Sequence, residues 1–264
     1  MGKLGVVALC ACAALFVAGA PARAMIAWRS LEEVADSSEV IAVGKVTAIA
    51  QKAVAGRAWD VATIEIEKVL LDRTGEQRKL RRVELYVAPH REARIIVDNG
   101  WPTARVGQHG VWFLEVPPDF VGYRHGHFNY QPRDKLARVE GIIAADRDPA
   151  KAMASDDAAK KVAGAYFWWS ENGRKGDDKK AEKATREATE AVVKALAAGL
   201  DDQPPGDQML LAQNMTGLLG LPTGKIWGGR VQAADRGRKL RDWLEKNPDF
   251  RLATYVDEKA DEKN

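Results

Sequence analysis

The chain has 264 residues, with 40 Lys and Arg against 37 Asp and Glu, four histidines and two cysteines. A near balance of charge leaves no overall excess to hold a nucleic-acid backbone, which needs a clustered basic face. At 46% apolar and 29% charged residues the composition is that of a chain that buries a core, not of a disordered one.

Residues 1–24 read as a signal peptide. Met1–Lys3 is a short positive start, Leu4–Ala20 is apolar and uncharged, and Ala22-Arg23-Ala24 has the small-x-small form that precedes cleavage, here before Met25. The run approaches the length of a spanning helix, but its Ala, Gly and Val composition and Pro21 set it apart from one. A lipid-anchor reading through Cys12 would leave apolar Ala13–Ala20 at the new N-terminus. Cleavage implies a secreted or periplasmic protein. It removes Cys10 and Cys12 and, with Lys3 and Arg23, brings the charge to 38 basic against 37 acidic residues. No later segment is long and apolar enough to span a membrane.

Residues 25–145 read as a β-rich domain. Ser30-Leu31-Glu32-Glu33 is a capping-box pattern opening a short helix to about Asp36. Strands follow at Glu39–Ile49, where Gly44 marks a bend, within Trp59–Val69, and at Arg82–Val87, with period-two alternation in Ile64-Glu65-Ile66-Glu67. A short apolar run at 95–97 precedes the Asp98-Asn99-Gly100 turn signal. Gly110–Val116 is nearly continuous apolar sequence stopped by Pro117-Pro118. Tyr123–Tyr130 reads as an edge strand and Ala137–Ile143 as the closing strand. Six or seven short strands with intervening turns point to a small barrel or sandwich.

Residues 146–254 read as a helical domain. One helix opens at Asp156/Asp157 and runs to about Trp169. A second, Lys180–Ala198, carries a seam of Ala181, Ala184, Ala188, Ala191 and Ala195, with Glu182/Arg186, Arg186/Glu190 and Glu190/Lys194 four apart on its wet side. The seam implies a close neighbouring helix, and Gly199 reads as its end. Further helices run from Asp207 to about Leu219 and from about Ala233 to Lys246, with breaks at Pro204-Pro205-Gly206 and Pro222-Thr223-Gly224. Residues 255–264 alternate in charge and read as a frayed tail.

Familiar catalytic templates are missing. There is no G-x-S-x-G, S-x-x-K or H-E-x-x-H. Gly217–Lys225 fails as a phosphate loop because Leu219 stands where its first glycine belongs. On a strand, His125 and His127 share a face and could bind one zinc ion, with His90 or His109 as a distant third ligand. The competing reading places both in a polar hairpin. Arg78, Lys79, Arg81 and Arg82 form a basic arm that suits an anionic envelope polymer or an acidic protein; charge at a strand edge also blocks sheet pairing. Of the eight tryptophans, Trp112 and Trp243 read as core. The adjacent Trp168 and Trp169 cannot both face one helix side, so one of them sits at an interface or is exposed to stack on a sugar or partner.

The order of Glu39–Val46, Ile64–Leu70, Val83–Val87 and Val106–Leu114, with its acid–apolar–apolar–x–x–G–x–V, I-x-I-x and G-x-x-G-V-W-F-L patterns, resembles netrin-like and tissue-inhibitor-of-metalloproteinase-like domains over residues 30–143. The resemblance implies an OB-type barrel. The inhibitors' metal-chelating cysteine does not carry over, because Met25-Ile26-Ala27 stands at that place.

These readings converge on an α+β chain: an N-terminal antiparallel OB-like β-barrel at 25–145, a C-terminal α-helical bundle at 146–254 and a charged tail at 255–264. The expected role is a non-enzymatic binding or scaffold protein of the cell envelope, with a protein or polysaccharide partner, no nucleic acid and no cofactor. Its expected surface is Arg78, Lys79, Arg81, Arg82, Trp101, Tyr123 and Tyr130. The alternative is a zinc-dependent enzyme using His125 and His127. Intact-mass measurement of the protein recovered from an exporting host is expected to give a chain beginning at Met25; persistence of Cys10 and Cys12 in the soluble product would refute the export reading.

Overall fold

A computed structural model describes residues 29–54, 57–75, 80–89, 104–114, 130–176, 179–201, 207–228, 232 and 235–257. The first element is α1 (Leu31–Ser37). The Ser30 hydroxyl oxygen accepts from the Glu33 N–H, and the Glu33 carboxylate accepts from the Ser30 N–H, both at 3.1 Å. This is the reciprocal cap that the sequence predicted.

Strands β1 (Val40–Val54) and β2 (Arg57–Asp72) form a long antiparallel hairpin. β3 (Arg82–Pro89) pairs with β2, β4 (His109–Leu114) with the first half of β1, and β5 (Tyr130–Pro132) with β4. The five-stranded order is β3-β2-β1-β4-β5, antiparallel throughout. Register shifts near Ala42, Gly44 and Ala48 sharpen the twist of the β1–β2 ribbon.

Strands β1 and β4 read as unbroken apolar runs because both sheet faces are covered. Side chains alternate along a strand. Ile41, Val43, Val111 and Phe113 join the helical core on one face, while Val40, Ala42, Val46, Trp112 and Leu114 join a second cluster with Ile64 and Leu85 on the other. Trp112 is fully buried and its indole N–H donates to the Gly44 carbonyl at 3.0 Å. A Cβ on Gly44 would lie 2.6 Å from the Glu65 carbonyl oxygen, so glycine is what lets β1 and β2 approach there.

Among the described residues the sheet is open, with β3 and β5 at its edges; the expected closed barrel is not seen. β5 is only three residues long and runs through a 3₁₀ turn (Arg133–Lys135) straight into α2 (Leu136–Arg147). The strand expected at Ala137–Ile143 is therefore helix. Val139, Ile142 and Ile143 are three and four apart and all buried, so helical spacing outweighs the short-range alternation that suggested a strand.

The remaining helices are α3 (Pro149–Met153), α4 (Ala158–Asn172), α5 (Arg186–Leu200), α6 (Asp207–Leu218), α7 (Thr223–Trp227) and α8 (Arg236–Lys246). One apolar cluster runs from Ile41 and Phe113 on the sheet through Ile142, Phe167 and Leu196 to Leu240. α2 crosses residue 145, where the composition changes. No helix among the described residues is long and apolar enough to cross a membrane.

The second half differs from expectation at three places. Lys179–Lys183 is a strand, β6, not the start of a helix; α5 begins only after Thr185, whose hydroxyl oxygen accepts from the Ala188 N–H at 3.1 Å. The Glu182/Arg186 helical pair therefore does not form, whereas Glu190 meets Arg186 at 2.6 Å and Lys194 at 3.1 Å. β6 pairs with β7 (Ala253–Asp257), so the predicted tail begins as an ordered strand. Gly199 lies inside α5, where a Cβ would collide with Val162 of α4 and press on Ala212 of α6. The expected alanine seam does not form as a unit: Ala181 is on β6 and Ala184 precedes α5, and the buried face of α5 is Thr189, Val192, Val193, Ala195, Leu196, Ala197, Gly199 and Leu200.

Gly237 has the same function for α8. A Cβ there would fall on the Ala197 carbonyl oxygen and the Asp201 carboxylate at the end of α5, and a backbone oxygen cannot swing aside. Gly237→Ala is expected to destabilise the fold by about 1–3 kcal/mol despite alanine's better helix propensity. Urea unfolding measures it, and an unchanged midpoint would show that α8 is free to move off α5.

Candidate functional site

Of the basic-arm surface read from the sequence, only Arg81, Arg82 and Tyr130 fall among the described residues. Arg78, Lys79, Trp101, Tyr123, His125, His127 and His90 lie outside the described residues. Arg81 and Arg82 belong to the β3 edge: the Arg81 carbonyl accepts from the Ile66 N–H at 2.9 Å and Arg82 reaches the Thr63 hydroxyl at 3.4 Å. Tyr130 is on β5, at the opposite edge, stacked 4.7 Å from Trp112, with its hydroxyl donating to the His109 carbonyl. His109 lies 2.9 Å from Glu67, whose other oxygen faces Arg133 at 3.6 Å. Among the described residues no group of three or more His, Cys, Asp or Glu is placed to hold a metal ion.

A denser constellation forms where α1 meets α4. The Asp157 carboxylate caps α4 by accepting from the Ala159 and Lys160 N–H groups. That start sets the phase of the helix, so Tyr166 and Ser170, four apart, come to one side near its end, and Arg174 follows just beyond the Gly173 C-cap. There they converge on one oxygen. Asp36 Oδ2 accepts from the Tyr166 hydroxyl at 3.2 Å, from the Ser170 hydroxyl at 3.0 Å and from the Arg174 guanidinium. Burial, reinforced by the Asp36 charge, holds the Tyr166 phenol far above its ordinary range, so it remains a donor. From the other side, Arg73 donates to the carbonyls of Ala35, Asp36 and Ser38 and pairs with Asp146 at 2.6 Å.

Arg174 also lies over the Trp169 ring, 5.2 Å from its centre, a cation–π arrangement. Beside that pair opens a pocket of about 430 Å³ between the end of α4, the α6–α7 link and β7. Trp169, Arg174 and Lys175 form one wall, Leu218 and Leu219 the apolar base, and Tyr255 the far side. Gly173 keeps the wall thin: a Cβ there would lie 3.0 Å from the Trp169 indole nitrogen. That nitrogen is buried and has no hydrogen-bond partner. Among the described residues no carboxylate lines the pocket. Its polar equipment is thus two cations and a phenol, set beside the Trp169 ring. Such a set can hold an anion or an acceptor-rich ligand against aromatic surface.

The sequence reading singled out Trp169 through the Trp168-Trp169 pair but missed Asp36, Arg174, Lys175 and Tyr255. The four-residue stripe Tyr166, Ser170, Arg174 was the available signal for two of its partners. Nothing local marks Tyr255, which reaches the pocket only through β6–β7 pairing.

A second cavity, about 350 Å³, lies between α1, α2 and α4. Glu32 is at its inner end and is only 4% exposed. Burial pushes its carboxyl up, offset in part by its own backbone N–H, Arg138 and the Ser30 hydroxyl. Comparison of the chain with protein-family models, curated proteins and solved structures finds no match.

The raised Glu32 value means that the folded state binds this proton more tightly than the unfolded chain does. Its contribution to stability is present below the ordinary value of 4.5 and is lost as pH rises through 4.5 toward the folded value. Glu32→Gln is expected to remove that decline and to be more stable than the parent at neutral pH. Urea unfolding between about pH 4 and pH 8 measures it; a variant less stable at neutral pH would show that the charged form is held favourably.

Proposed function

We propose that the chain is an exported, non-enzymatic binding protein of the cell envelope, and that the Trp169–Arg174–Lys175–Tyr255 pocket takes an acidic saccharide. The observation that carries this reading is the imbalance of the pocket: donors and cations with no carboxylate among its described lining residues. Aromatic side chains pack on sugar rings through their flat apolar faces, and the guanidinium is shaped for carboxylates. A volume of about 430 Å³ is in the range of small-ligand sites.

The OB-type reading of the β-rich part belongs to the same proposal. A long first strand that pairs with both its successor and β4, and an order in which β5 and β3 are the free edges, support it: joining those edges would close a five-stranded barrel of that kind.

Calorimetric titration with a galacturonic acid trimer is expected to show saturable binding that weakens with salt, and at least about tenfold weaker binding of the neutral galactose trimer. Lys175→Ala, an exposed position, is expected to weaken the acidic trimer by a similar factor. Equal binding of both trimers, or no saturation with either, would refute the assignment.

A further inference from the structure

The cavity beneath α1 has a composition unlike the saccharide pocket and independent of it. Three elements build it. α1 supplies Glu32, α2 supplies Ala137, Arg138, Gly141 and Ile142, and α4 supplies Asp157, Lys160 and Ala163. Small residues line it, and the Lys160 side chain passes Gly141 at ordinary van der Waals distance, 3.9 Å from where a Cβ would stand. Lys160 thus lies over the gap in α2 and also lines the adjoining cavity of about 480 Å³.

The charged groups differ in how far they are already committed. Arg138 pairs with Asp207 at 3.1 Å. Asp157 is occupied by the cap of α4. Two groups remain available. Glu32 is buried at the inner end; among the described residues the Ser30 hydroxyl and its own N–H donate to it and the Arg138 charge acts on it from nearby, but no side chain forms an ion pair with it. Lys160 is exposed and, among the described residues, has no carboxylate partner. The two do not meet each other.

This arrangement discriminates by charge. A free anion entering the cavity meets the Glu32 carboxyl. A free cation must pass Lys160 and Arg138. A neutral ligand leaves both groups unused. Only a molecule with a positive end for Glu32 and a negative end for Lys160 satisfies both. Ile142 and Ala163 give the cavity an apolar stretch of wall, and about 350 Å³ is ample for a small zwitterion such as an amino acid.

We propose that the cavity between α1, α2 and α4 is a binding site for a small zwitterion, its ammonium group set against Glu32 and its carboxylate against Lys160. The site has no need of a metal or cofactor and is separate from the saccharide pocket, so either assignment can fail alone.

Calorimetric titration of the full-length protein at neutral pH with alanine, propionate and ethylamine tests it. Alanine, which carries both ends, is expected to saturate; propionate and ethylamine, each with one end, are expected to bind at least about tenfold more weakly. Lys160→Ala and Glu32→Gln are each expected to weaken alanine about tenfold or more while leaving galacturonate binding unchanged. Should Glu32→Gln fail to fold, the exposed Lys160→Ala variant carries the test. Absence of saturation by alanine at millimolar concentration, propionate or ethylamine binding as tightly as alanine, or unchanged alanine affinity in Lys160→Ala would each overturn the proposal.

Discussion

One carboxylate oxygen holds the two kinds of secondary structure in register with each other. Asp36 sits at the end of α1, a few residues before β1 begins, and its Oδ2 takes three donors from the far end of α4. Arg73, at the end of β2, grips the same turn through three carbonyls. The first strand of the sheet, the last turn of a core helix and the exit of β2 are thereby fixed to a single point. Charge-assisted hydrogen bonds of this kind are stronger than neutral ones; Tyr166 at their centre is almost wholly buried, while Arg174 remains half-exposed and its ion pair is screened by water.

The pocket beside Trp169 inherits its geometry from this junction. Arg174 can lie over Trp169 because Asp36 fixes one side of its guanidinium. Ordering an arginine from solution costs side-chain entropy; here the fold has already paid much of that cost before a ligand arrives. Lys175 has no such restraint among the described residues and supplies charge without fixed direction. One cation is oriented and its neighbour adaptable, which suits an acidic group of fixed chemistry on a ring of variable pose. The cavity beneath α1 works from the opposite condition, with a carboxyl that burial disfavours in its charged form and that a matching ammonium would stabilise.

The parts of this fold that were legible in the sequence are those governed by short-range chemistry. Ser30 and Glu33 cap α1 as their spacing requires, Asp157 opens α4, and the apolar runs of β1 and β4 are strands. Where two periodicities overlapped, the reading was ambiguous. Val139 and Ile143 fit both a strand and a helix, and burial of Ile142 decides for the helix. Lys180-Ala181-Glu182-Lys183 has good helix formers, yet pairing with residues 253–257 makes it a strand, a partner that no local window contains. The candidate sites were the least legible part, because Asp36 with Arg174, and Glu32 with Lys160, are brought together by packing across more than a hundred residues. Trp169 was visible only as half of an unusual pair.

The pairing of β6 with β7 also sets an order of events. Tyr255 lies opposite Ala181 in that two-stranded sheet and forms the far side of the pocket whose near wall is Trp169. A polypeptide emerges from its ribosome, or threads through a translocation pore, from its N-terminus onward. Sheet, junction and aromatic wall can therefore assemble while the pocket still lacks one side. The pocket is complete only once β7 has been made and paired with β6.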